Sequence, residues 1–318
     1  MSTLLVASEG GHLAQLYLLS ERLSPATDRV WVTFDTPQSR SLLADQEVHY
    51  APFAGSRDLI GTARAGQWAR DFLRANHFHT AVSTGASIAL AVLPLAARAG
   101  AECHYIESAT RTDGPSLTGR LLLPFRSIHL YTQYASWADK RWTYEVSIFD
   151  GFRALPSVHP VHPQRIVVSL GAHKGFGFRR LLEQLVRIIP AGIDVLWQVG
   201  YTDASGLGID ARVSMPAAEL SRAMAESDVV ITHAGVGSAI SAFEAAKLPV
   251  FVPRRKRFNE HVDDHQVQLA RELDRRGLAC YAEADELQWE LIVRAASWQV
   301  ARDTEYQADN RILQGSYQ

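Results

Sequence analysis

A glycine-bearing segment between a strand-like run and a helical pattern gives the strongest chemical signal in the sequence. The segment reads Thr232, His233, Ala234, Gly235, Val236, Gly237 and Ser238. Glycine lets a ligand approach the backbone closely, and the amides and dipole of a helix N-terminus attract a diphosphate. Ser238 could donate a hydroxyl hydrogen bond to the same ligand or cap the helix. The alternative is a tight turn without a ligand, because Gly-x-Gly alone is a weak pattern.

Two other features of the second half could serve the same ligand. Glu244 lies nearly two turns into the helix after the glycines, where a carboxylate could accept both hydroxyls of a ribose or simply be solvated. A second glycine-rich loop, residues 171–177, follows an apolar strand-like run. The amides near Gly171 and the side chain of His173 could touch a phosphate or a sugar.

A basic loop and a polar helix start follow in residues 252–266. Asp263 or Asp264 could cap that helix. His265 and Gln266 would then lie in its first turn, where their side chains could donate hydrogen bonds to sugar hydroxyls or phosphate. Arg254 is a further candidate for contacting the same ligand, and this arginine-rich loop would suit a sugar that carries a carboxylate. A solvated loop and a contact with anionic lipid are the alternatives for the basic run.

The first half contains a matching set of strand-loop-helix elements. Gly10, Gly11 and His12 form one, and Ser83, Thr84 and Gly85 form another; both could bind a phosphate group of an acceptor. His12 is the best general-base candidate because imidazole titrates near neutral pH, although a capping role is the alternative. Glu107, at the end of the next strand, could orient His12 or an acceptor hydroxyl. Arg111 could pair with an acceptor phosphate.

Other chemistries lack their motifs. The sequence has no Gly-x-Ser-x-Gly elbow, no phosphate loop ending in Gly-Lys-Ser/Thr, and no Asp-x-Asp pair. His261 and His265 stand four residues apart without forming His-Glu-x-x-His, so we expect no metal and no cofactor. The net charge of −2 gives no general attraction to nucleic acid. Cys103 and Cys280 match no metal spacing and are expected to be free thiols.

Strand-like and helical patterns alternate along both halves, which predicts an α/β fold with parallel sheets. The expected strands include residues 3–8, 29–34, 80–84, 102–107, 127–132, 165–170, 194–199, 228–232 and 249–252. The main expected helices begin near His12 and cover residues 59–75, 217–225, 238–246 and 265–276. The polar tail after Ser297 is expected to be a final helix, which could return to the first domain.

Prolines interrupt the pattern at residues 156–163, where we expect the linker between two Rossmann-like domains. The domains would cover residues 1–155 and 156–318. A cleft between them would bind ligands at the carboxyl ends of the strands.

The N-terminus has no pattern of a signal peptide, and the charge-free stretch 80–97 is better explained by a strand, a loop and a buried helix than by a membrane span. Residues 53–74 mix arginines with Leu59, Ile60, Trp68, Phe72 and Leu73. Such a helix could lie on anionic lipid, or it could pack on the sheet as an ordinary surface helix.

Taken together, these motifs resemble glycosyltransferase family 28. The second half resembles its C-terminal domain through residues 232–238, 243–245 and 260–266, the last most like bacterial exopolysaccharide transferases. The first half resembles the partner subunit of such transferases through residues 10–12, 83–85, 105–108 with Arg111, and 116–120. The chain is thus similar to both subunits joined in one polypeptide, a layout shared with the two-subunit transferase of the dolichol pathway.

This resemblance implies a GT-B fold and inverting, metal-independent sugar transfer in polysaccharide or glycolipid synthesis. The donor would be a UDP-sugar held by the second half, with residues 235–238 on the diphosphate, Glu244 on the ribose, and His265 and Gln266 on the sugar. The acceptor would be a lipid-linked saccharide facing Gly10, Gly11 and His12. The enzyme would then be cytoplasmic and peripheral on the inner face of the cell membrane.

Two other functions fit the same architecture: a non-hydrolysing UDP-sugar epimerase and a non-catalytic UDP-sugar-binding subunit. The presence of both half-sites in one chain argues against the second. The residues leave the donor sugar open among glucuronic acid, galactose, glucose and N-acetylglucosamine.

Overall fold

The computed structural model describes residues 2–23, 29–55, 58–145, 147–157, 162–171 and 176–303. They form two compact units, of which the first reaches Asp150 and the second begins at Gly151. Each unit is an α/β structure with a parallel sheet, so the predicted fold class is confirmed.

Seven strands build the sheet of the first unit. In chain order they are β1 Thr3–Ala7, β2 Arg29–Thr33, β3 Glu47–Tyr50, β4 Thr80–Gly85, β5 Glu102–Ile106, β6 Ile128–Thr132 and β7 Trp142–Tyr144. They pair in parallel in the order β3-β2-β1-β4-β5-β6-β7. Every residue of β1 is buried, as expected for an inner strand covered on both faces.

The helices of the first unit are α1 Gly11–Leu23, α2 Pro37–Leu42, α3 Leu59–Ala75, α4 Ser87–Arg98 and α5 Leu117–Leu122. Side chains begin three of them by accepting backbone N–H bonds: Thr36 at α2, Asp58 at α3 and Ser116 at α5. Helix α4 is largely buried against the sheet, and this packing lets it continue through Pro94.

The second unit repeats this strand order. Its strands are β8 Phe152–Pro156, β9 Arg165–Ser169, β10 Asp194–Gln198, β11 Ala211–Arg212, β12 Val229–Thr232, β13 Val250–Phe251, β14 Cys280–Tyr281 and β15 Trp298–Arg302. Six of them form a parallel sheet in the order β11-β10-β9-β12-β13-β14, and β8 pairs with β15 in antiparallel fashion. The helices are α6 Arg179–Ile188, α7 Ala217–Glu226, α8 Val236–Glu244, α9 His265–Arg275 and α10 Trp289–Ala296.

Strand order reverses between β1 and β4 in the first unit, and between β9 and β12 in the second. Neighbouring strands at such a point lead to helices on opposite faces, which leaves a crevice at their carboxyl ends. The loops that carry the predicted site residues 10–12 and 83–85 leave one reversal point, and the loops with Gly171 and residues 233–238 leave the other.

Two expectations about the ends of the second unit differ from the structure. Pro156, expected to begin a linker, ends β8 and pairs with Trp298 of β15, so the tail after Ser297 begins as a strand rather than a helix. A proline is tolerated there because the two-stranded sheet offers it an edge position. Residues 158–161 and 304–318 lie outside the described residues.

Helix α3 divides its apolar residues between the core and the surface. Trp68, Phe72 and Leu73 pack against the core of the first unit, as for an ordinary surface helix. Leu59 and Ile60, in contrast, are 83% and 68% exposed. Only the N-terminal end of α3 therefore presents apolar side chains for a lipid contact.

None of the helices in the described part of the chain combines the length and the apolar character that a membrane span requires.

A buried histidine in the first unit makes its stability depend on pH. His104 is 1% exposed, and burial, with a smaller effect of the neighbouring His129, lowers its pKa to about 3. In the unfolded chain a histidine binds a proton below its ordinary pKa of about 6.5, whereas folded His104 stays neutral down to about pH 3. Stability is therefore lost as the pH falls from about 6.5 towards 3.

We expect His104→Gln to remove this loss. Between pH 7 and pH 5 the wild-type chain should lose about 2 kcal/mol more unfolding free energy than the variant. Urea unfolding at the two pH values measures the difference, with His77→Gln, an exposed position, as the control. Equal pH dependence in His104→Gln and wild type would contradict the assignment.

Candidate functional site

His12 and Thr84 join the two loops at the reversal point of the first unit. His12 Nδ1 lies 2.7 Å from the Thr84 carbonyl oxygen, and the Thr84 hydroxyl donates back to the His12 carbonyl at 2.7 Å. A carbonyl oxygen only accepts hydrogen bonds, so Nδ1 carries the proton and the lone pair of the neutral ring is on Nε2. This tautomer is the one that a general base acting through Nε2 needs.

Glycine is required beside this histidine. Gly85 has a φ of +118°, and a Cβ there would lie 3.1 Å from the His12 ring and 3.2 Å from the Tyr105 hydroxyl. The Ser83 hydroxyl accepts the Gly85 N–H at 3.1 Å, so it serves the turn itself. The structure therefore brings His12, Thr84 and Gly85 together.

Gln38, which belongs to none of the predicted motifs, holds the first glycine loop. Gly10 donates its N–H to Gln38 Oε1 at 2.6 Å, and Gln38 Nε2 donates to the Gly10 carbonyl at 3.2 Å. The positive φ of Gly10, 75°, is favourable for glycine and places Gly11 at the start of α1. This turn positions His12 in the first turn of the helix.

Glu107 is a buried carboxylate with four hydrogen-bond donors. Oε1 accepts from the Ser108 N–H at 2.8 Å and the Tyr105 hydroxyl at 3.2 Å, and Oε2 accepts from the Ser116 N–H and hydroxyl, both at 2.9 Å. Burial raises the pKa of Glu107, while the bonds from Ser116 and Ser108 oppose that rise. Glu107 therefore fixes the start of α5, and the Thr84 carbonyl, rather than Glu107, orients His12.

The positive charge of Arg111 lowers the pKa of both Glu107 and Tyr105, as expected for a nearby guanidinium. Its carbonyl accepts the Trp137 indole N–H at 3.0 Å. The side chain is half-buried, and its role as an anion partner stays a prediction.

Two buried glutamines, which belong to none of the predicted motifs, link this loop cluster to the sheet. Gln15 accepts the Ala109 N–H at 2.8 Å and donates to the Gly11 carbonyl at 2.9 Å. Gln133 donates to Gln15 Oε1 at 3.1 Å and to the Glu107 carbonyl at 2.9 Å. Gln15, three residues after His12 on an otherwise apolar helix face, was the available signal.

His233 lies between two glycines at the reversal point of the second unit. A Cβ on Gly171 would lie 3.0 Å from the His233 ring, and a Cβ on Gly235 would lie 2.7 Å from its Nε2. Burial, with a smaller effect of the Arg254 charge, lowers the pKa of His233 to about 3, so the ring is neutral at physiological pH. His233 thus fills the space between the loops after β9 and β12.

The N-terminus of α8 presents backbone amides. Ala234 has a φ of 60° and Gly235 is the N-cap residue. No side chain among the described residues caps this helix, and its first turn, with Val236, Gly237 and Ser238, contains no acidic residue. Uncapped amides at a positive dipole end are suited to an anion.

Arg254 brings a buried positive charge to the same loops. It is 2% exposed, and its Nη2 donates to the Leu170 carbonyl, beside Gly171, at 2.9 Å. Among the described residues nothing accepts its Nε hydrogen. Burial lowers the pKa of Arg254 to about 10, which leaves the guanidinium charged at neutral pH.

Gln266 and His265 make contacts within the protein. Gln266 is buried and accepts the Arg254 N–H at 3.0 Å, so it holds the backbone of the basic loop. The His265 ring contacts Asp263, and His261 lies edge-on to it with ring centroids 4.6 Å apart. The predicted sugar contacts of His265 and Gln266 stay predictions.

Two further predicted ligand-binding residues of the second unit are Glu244 and His173. Glu244 is the exposed last residue of α8, where it accepts from Arg302 at 3.2 Å. It lies about 12 Å along the helix axis from Val236, at about 1.5 Å per residue. The structure therefore places it away from the helix N-terminus, and its contact with ribose stays a prediction. His173 lies outside the described residues.

Two ion-paired arginines hold the basic loop in place. Arg255 contacts Glu283 at 2.7 Å and Asp264 at 3.4 Å, and Arg180 contacts Glu260 at 3.1 Å. These pairs stabilise the loop against the rest of the second unit. Lys256 and Arg257 of the same loop are exposed, so a contact of this loop with anionic lipid stays a prediction.

Residues 184–309 match the model of the glycosyltransferase family 28 C-terminal domain. No curated protein sequence matches the chain significantly.

Solved structures of glycosyltransferases are similar to the whole chain. MurG of Acinetobacter baumannii is 16% identical with a TM-score of 0.58, over 92% of this chain and 89% of that chain. The calicheamicin glycosyltransferase CalG4 is 17% identical with a TM-score of 0.58, over 93% and 89%. SsfS6 of Streptomyces sp. SF2575, complexed with thymidine diphosphate, is 17% identical with a TM-score of 0.55, over 93% and 90%. At these identities the likeness shows the fold, and the predicted GT-B fold is confirmed.

The packing of His233 predicts a large effect of a small substitution. We expect Gly235→Ala to displace the ring, because the new Cβ would lie 2.7 Å from Nε2 while Gly171 closes the other side. The cost should be about 1–3 kcal/mol of unfolding free energy, as for other overpacked sites. Gly66→Ala in α3 is the matched control, because its Cβ would lie 4.0 Å from the nearest atom of a neighbouring element, the Ala91 carbonyl oxygen of α4. Urea unfolding that shows no difference between the two variants would contradict the packing.

Proposed function

We propose that this GT-B glycosyltransferase, whose residues 184–309 match the model of the glycosyltransferase family 28 C-terminal domain, moves a sugar from a UDP-sugar to a lipid-linked saccharide. The transfer inverts the anomeric carbon and uses no metal. It serves polysaccharide or glycolipid synthesis at the inner face of the cell membrane.

The observation that carries the proposal is the uncapped N-terminus of α8 inside the matched domain. Its amides at Val236, Gly237 and Ser238 form the site for the donor diphosphate. The thymidine diphosphate named for SsfS6 is likewise a nucleoside diphosphate, which supports a ligand of this class. The uridine base of the donor rests on the family resemblance.

Charge on the leaving group is stabilised by the protein itself. When the bond between the sugar and the diphosphate breaks, negative charge develops on the diphosphate. The α8 amides and the charged Arg254 guanidinium, which has an unpartnered Nε among the described residues, are suited to that charge. They supply what a divalent ion supplies in other transferases, which supports a metal-independent reaction.

The acceptor is activated by His12. Its Nε2 takes the proton from the attacking hydroxyl, and the oxygen then displaces the diphosphate from the opposite face of the sugar in one step. The Thr84 carbonyl holds the required tautomer. Glu107 acts as a positioning residue, because its carboxylate fixes the loop that contains Ser108 and Ser116.

Exposed apolar side chains of the first unit support a lipid-linked acceptor. They are Phe53, Leu59, Ile60, Leu117 and Leu121, each at least half exposed. Phe53 lies in the loop after β3, Leu59 and Ile60 begin α3, and Leu117 and Leu121 lie on α5, which follows β5. The carboxyl ends of β3 and β5 lie at the same sheet edge as the β1 end that leads to His12. An apolar surface at the edge of the acceptor site suits a polyprenyl chain and a membrane surface.

His12→Ala should abolish most of the transfer. We expect turnover to fall by about 10²–10⁴-fold, the usual contribution of a general base. The assay uses a panel of UDP-sugars with a polyprenyl-diphosphate saccharide, in the presence of EDTA. UDP binding by calorimetry should be unchanged, because the second unit holds the nucleotide. The exposed His77→Ala is the matched control.

Two results of that assay would contradict the proposal. One is full turnover by His12→Ala, which would remove His12 from the mechanism. The other is conversion of the UDP-sugar to a different UDP-sugar without any acceptor, which would identify an epimerase.

In the same assay Glu107→Gln should lower activity together with the melting temperature, as for a positioning residue.

The apolar surface predicts binding to membranes. We expect the chain to co-sediment with anionic phospholipid vesicles at low salt. A Leu59→Ser, Ile60→Ser double variant should bind about 100-fold more weakly or worse, since each buried leucine-sized side chain contributes about 1.5–3 kcal/mol. Val213→Ser, a 52% exposed position in the second unit, is the control. Absence of wild-type binding would reject the membrane contact.

A further inference from the structure

A cluster of two histidines and an aspartate precedes and begins α9. His261, Asp263 and His265 each offer one ligand atom, and these atoms lie within 4.8 Å of one another. All three side chains are partly exposed, by 15%, 38% and 18%. In the described part of the chain this is the group of three such side chains that is compact enough to hold a metal ion.

The backbone sets this arrangement. His261 Nδ1 lies 3.5 Å from Asp263 Oδ1, and His265 Nδ1 contacts the same carboxylate oxygen. The Asp263 and His265 N–H groups point back into the cluster, towards His261 Nδ1 at 3.5 Å and Asp263 Oδ1 at 3.4 Å. The turn before α9 therefore gathers residues spaced by two into one cluster.

We propose that His261, Asp263 and His265 bind a divalent transition metal ion of the zinc type. Imidazole nitrogen and carboxylate oxygen are common zinc ligands, and three protein ligands leave a fourth position for water or another molecule. Mg²⁺ and Ca²⁺ prefer oxygen ligands, so a set with two imidazoles selects against them. This reverses the expectation from the sequence that the chain holds no metal.

Neighbouring residues restrain the His261 ring and determine which carboxylate faces the histidines. The Phe176 ring stacks on His261 with centroids 5.7 Å apart, which restrains that ring. Asp264 contacts Arg255 instead of the cluster, so Asp263 is the carboxylate that faces the histidines. The positive end of the α9 dipole opposes a cation, but a directly coordinating carboxylate contributes a full negative charge against it.

An ion at this cluster would affect the donor site. His261 and His265 lie close enough to the glycine loops to lower the pKa of His233. The ion would engage His265, which the donor sugar is expected to contact, so Zn²⁺ should inhibit transfer and EDTA should restore it. This consequence rests on the proposed function, whereas binding of the ion does not.

The binding test uses the untagged chain, stripped with EDTA and desalted. We expect Co²⁺ to produce the visible absorption of a protein-bound ion with saturation at one equivalent, and Zn²⁺ to displace it. Asp263→Asn and His261→Ala should each weaken binding by more than about 100-fold, since even outer-shell partners of a metal contribute about 10–100-fold. Circular dichroism checks that each variant is folded, and His77→Ala is the control that should bind as wild type does.

Saturation at one equivalent that both cluster variants lose would support the site. Lack of stoichiometric binding by the wild type, or equal binding by either folded variant, would overturn it. Stoichiometric binding by a chain that transfers no sugar would leave the metal site standing and count against the proposed function alone.

Discussion

The close approach of two loops at a reversal of strand order is the constraint on which the rest of the structure depends. Parallel strands leave their carboxyl ends side by side, and the chain must turn there without blocking the crevice. In the second unit this works because His233 occupies the room left by the absent Cβ atoms of Gly171 and Gly235. In the first unit the same solution recurs, with His12 beside Gly85.

Protonation states complete this arrangement. His233 and Arg254 are near one another, and a second positive charge there would be costly; burial keeps His233 neutral, with its pKa at about 3. The site retains the charge of Arg254 together with the α8 amides. In the first unit the Thr84 carbonyl selects one tautomer of His12, so a backbone oxygen assumes the role that a carboxylate has in many catalytic pairs.

The sequence predicted the elements whose signal is local. Helix α3 begins and ends where its periodicity indicated, and the apolar runs of β1, β4, β9 and β12 are inner strands. Short edge strands such as β7 and β14 escaped prediction, because two or three residues carry no periodicity and pairing alone defines them. The strand β15 depends on β8, more than 140 residues earlier in the chain, which no window along the sequence reveals.

The site residues also differ in whether a local sequence signal identifies them. His12 and the α8 glycines follow strands directly, so their loops identified them. The glutamines that hold the loops around His12 are far apart in the chain and reach these loops only through the fold: Gln38 bonds Gly10, and Gln133 bonds Gln15. Gln266 lies in a predicted sugar-binding motif, and in the structure its side-chain oxygen accepts the backbone N–H of Arg254.

A crystal structure of the chain with UDP in the presence of EDTA tests the central claim most directly. We expect the pyrophosphate oxygens to accept hydrogen bonds from the peptide N–H groups of residues 236–238, near the Arg254 guanidinium and without a bridging ion. Nucleotide bound elsewhere in the second unit, with these N–H groups facing solvent, would contradict it.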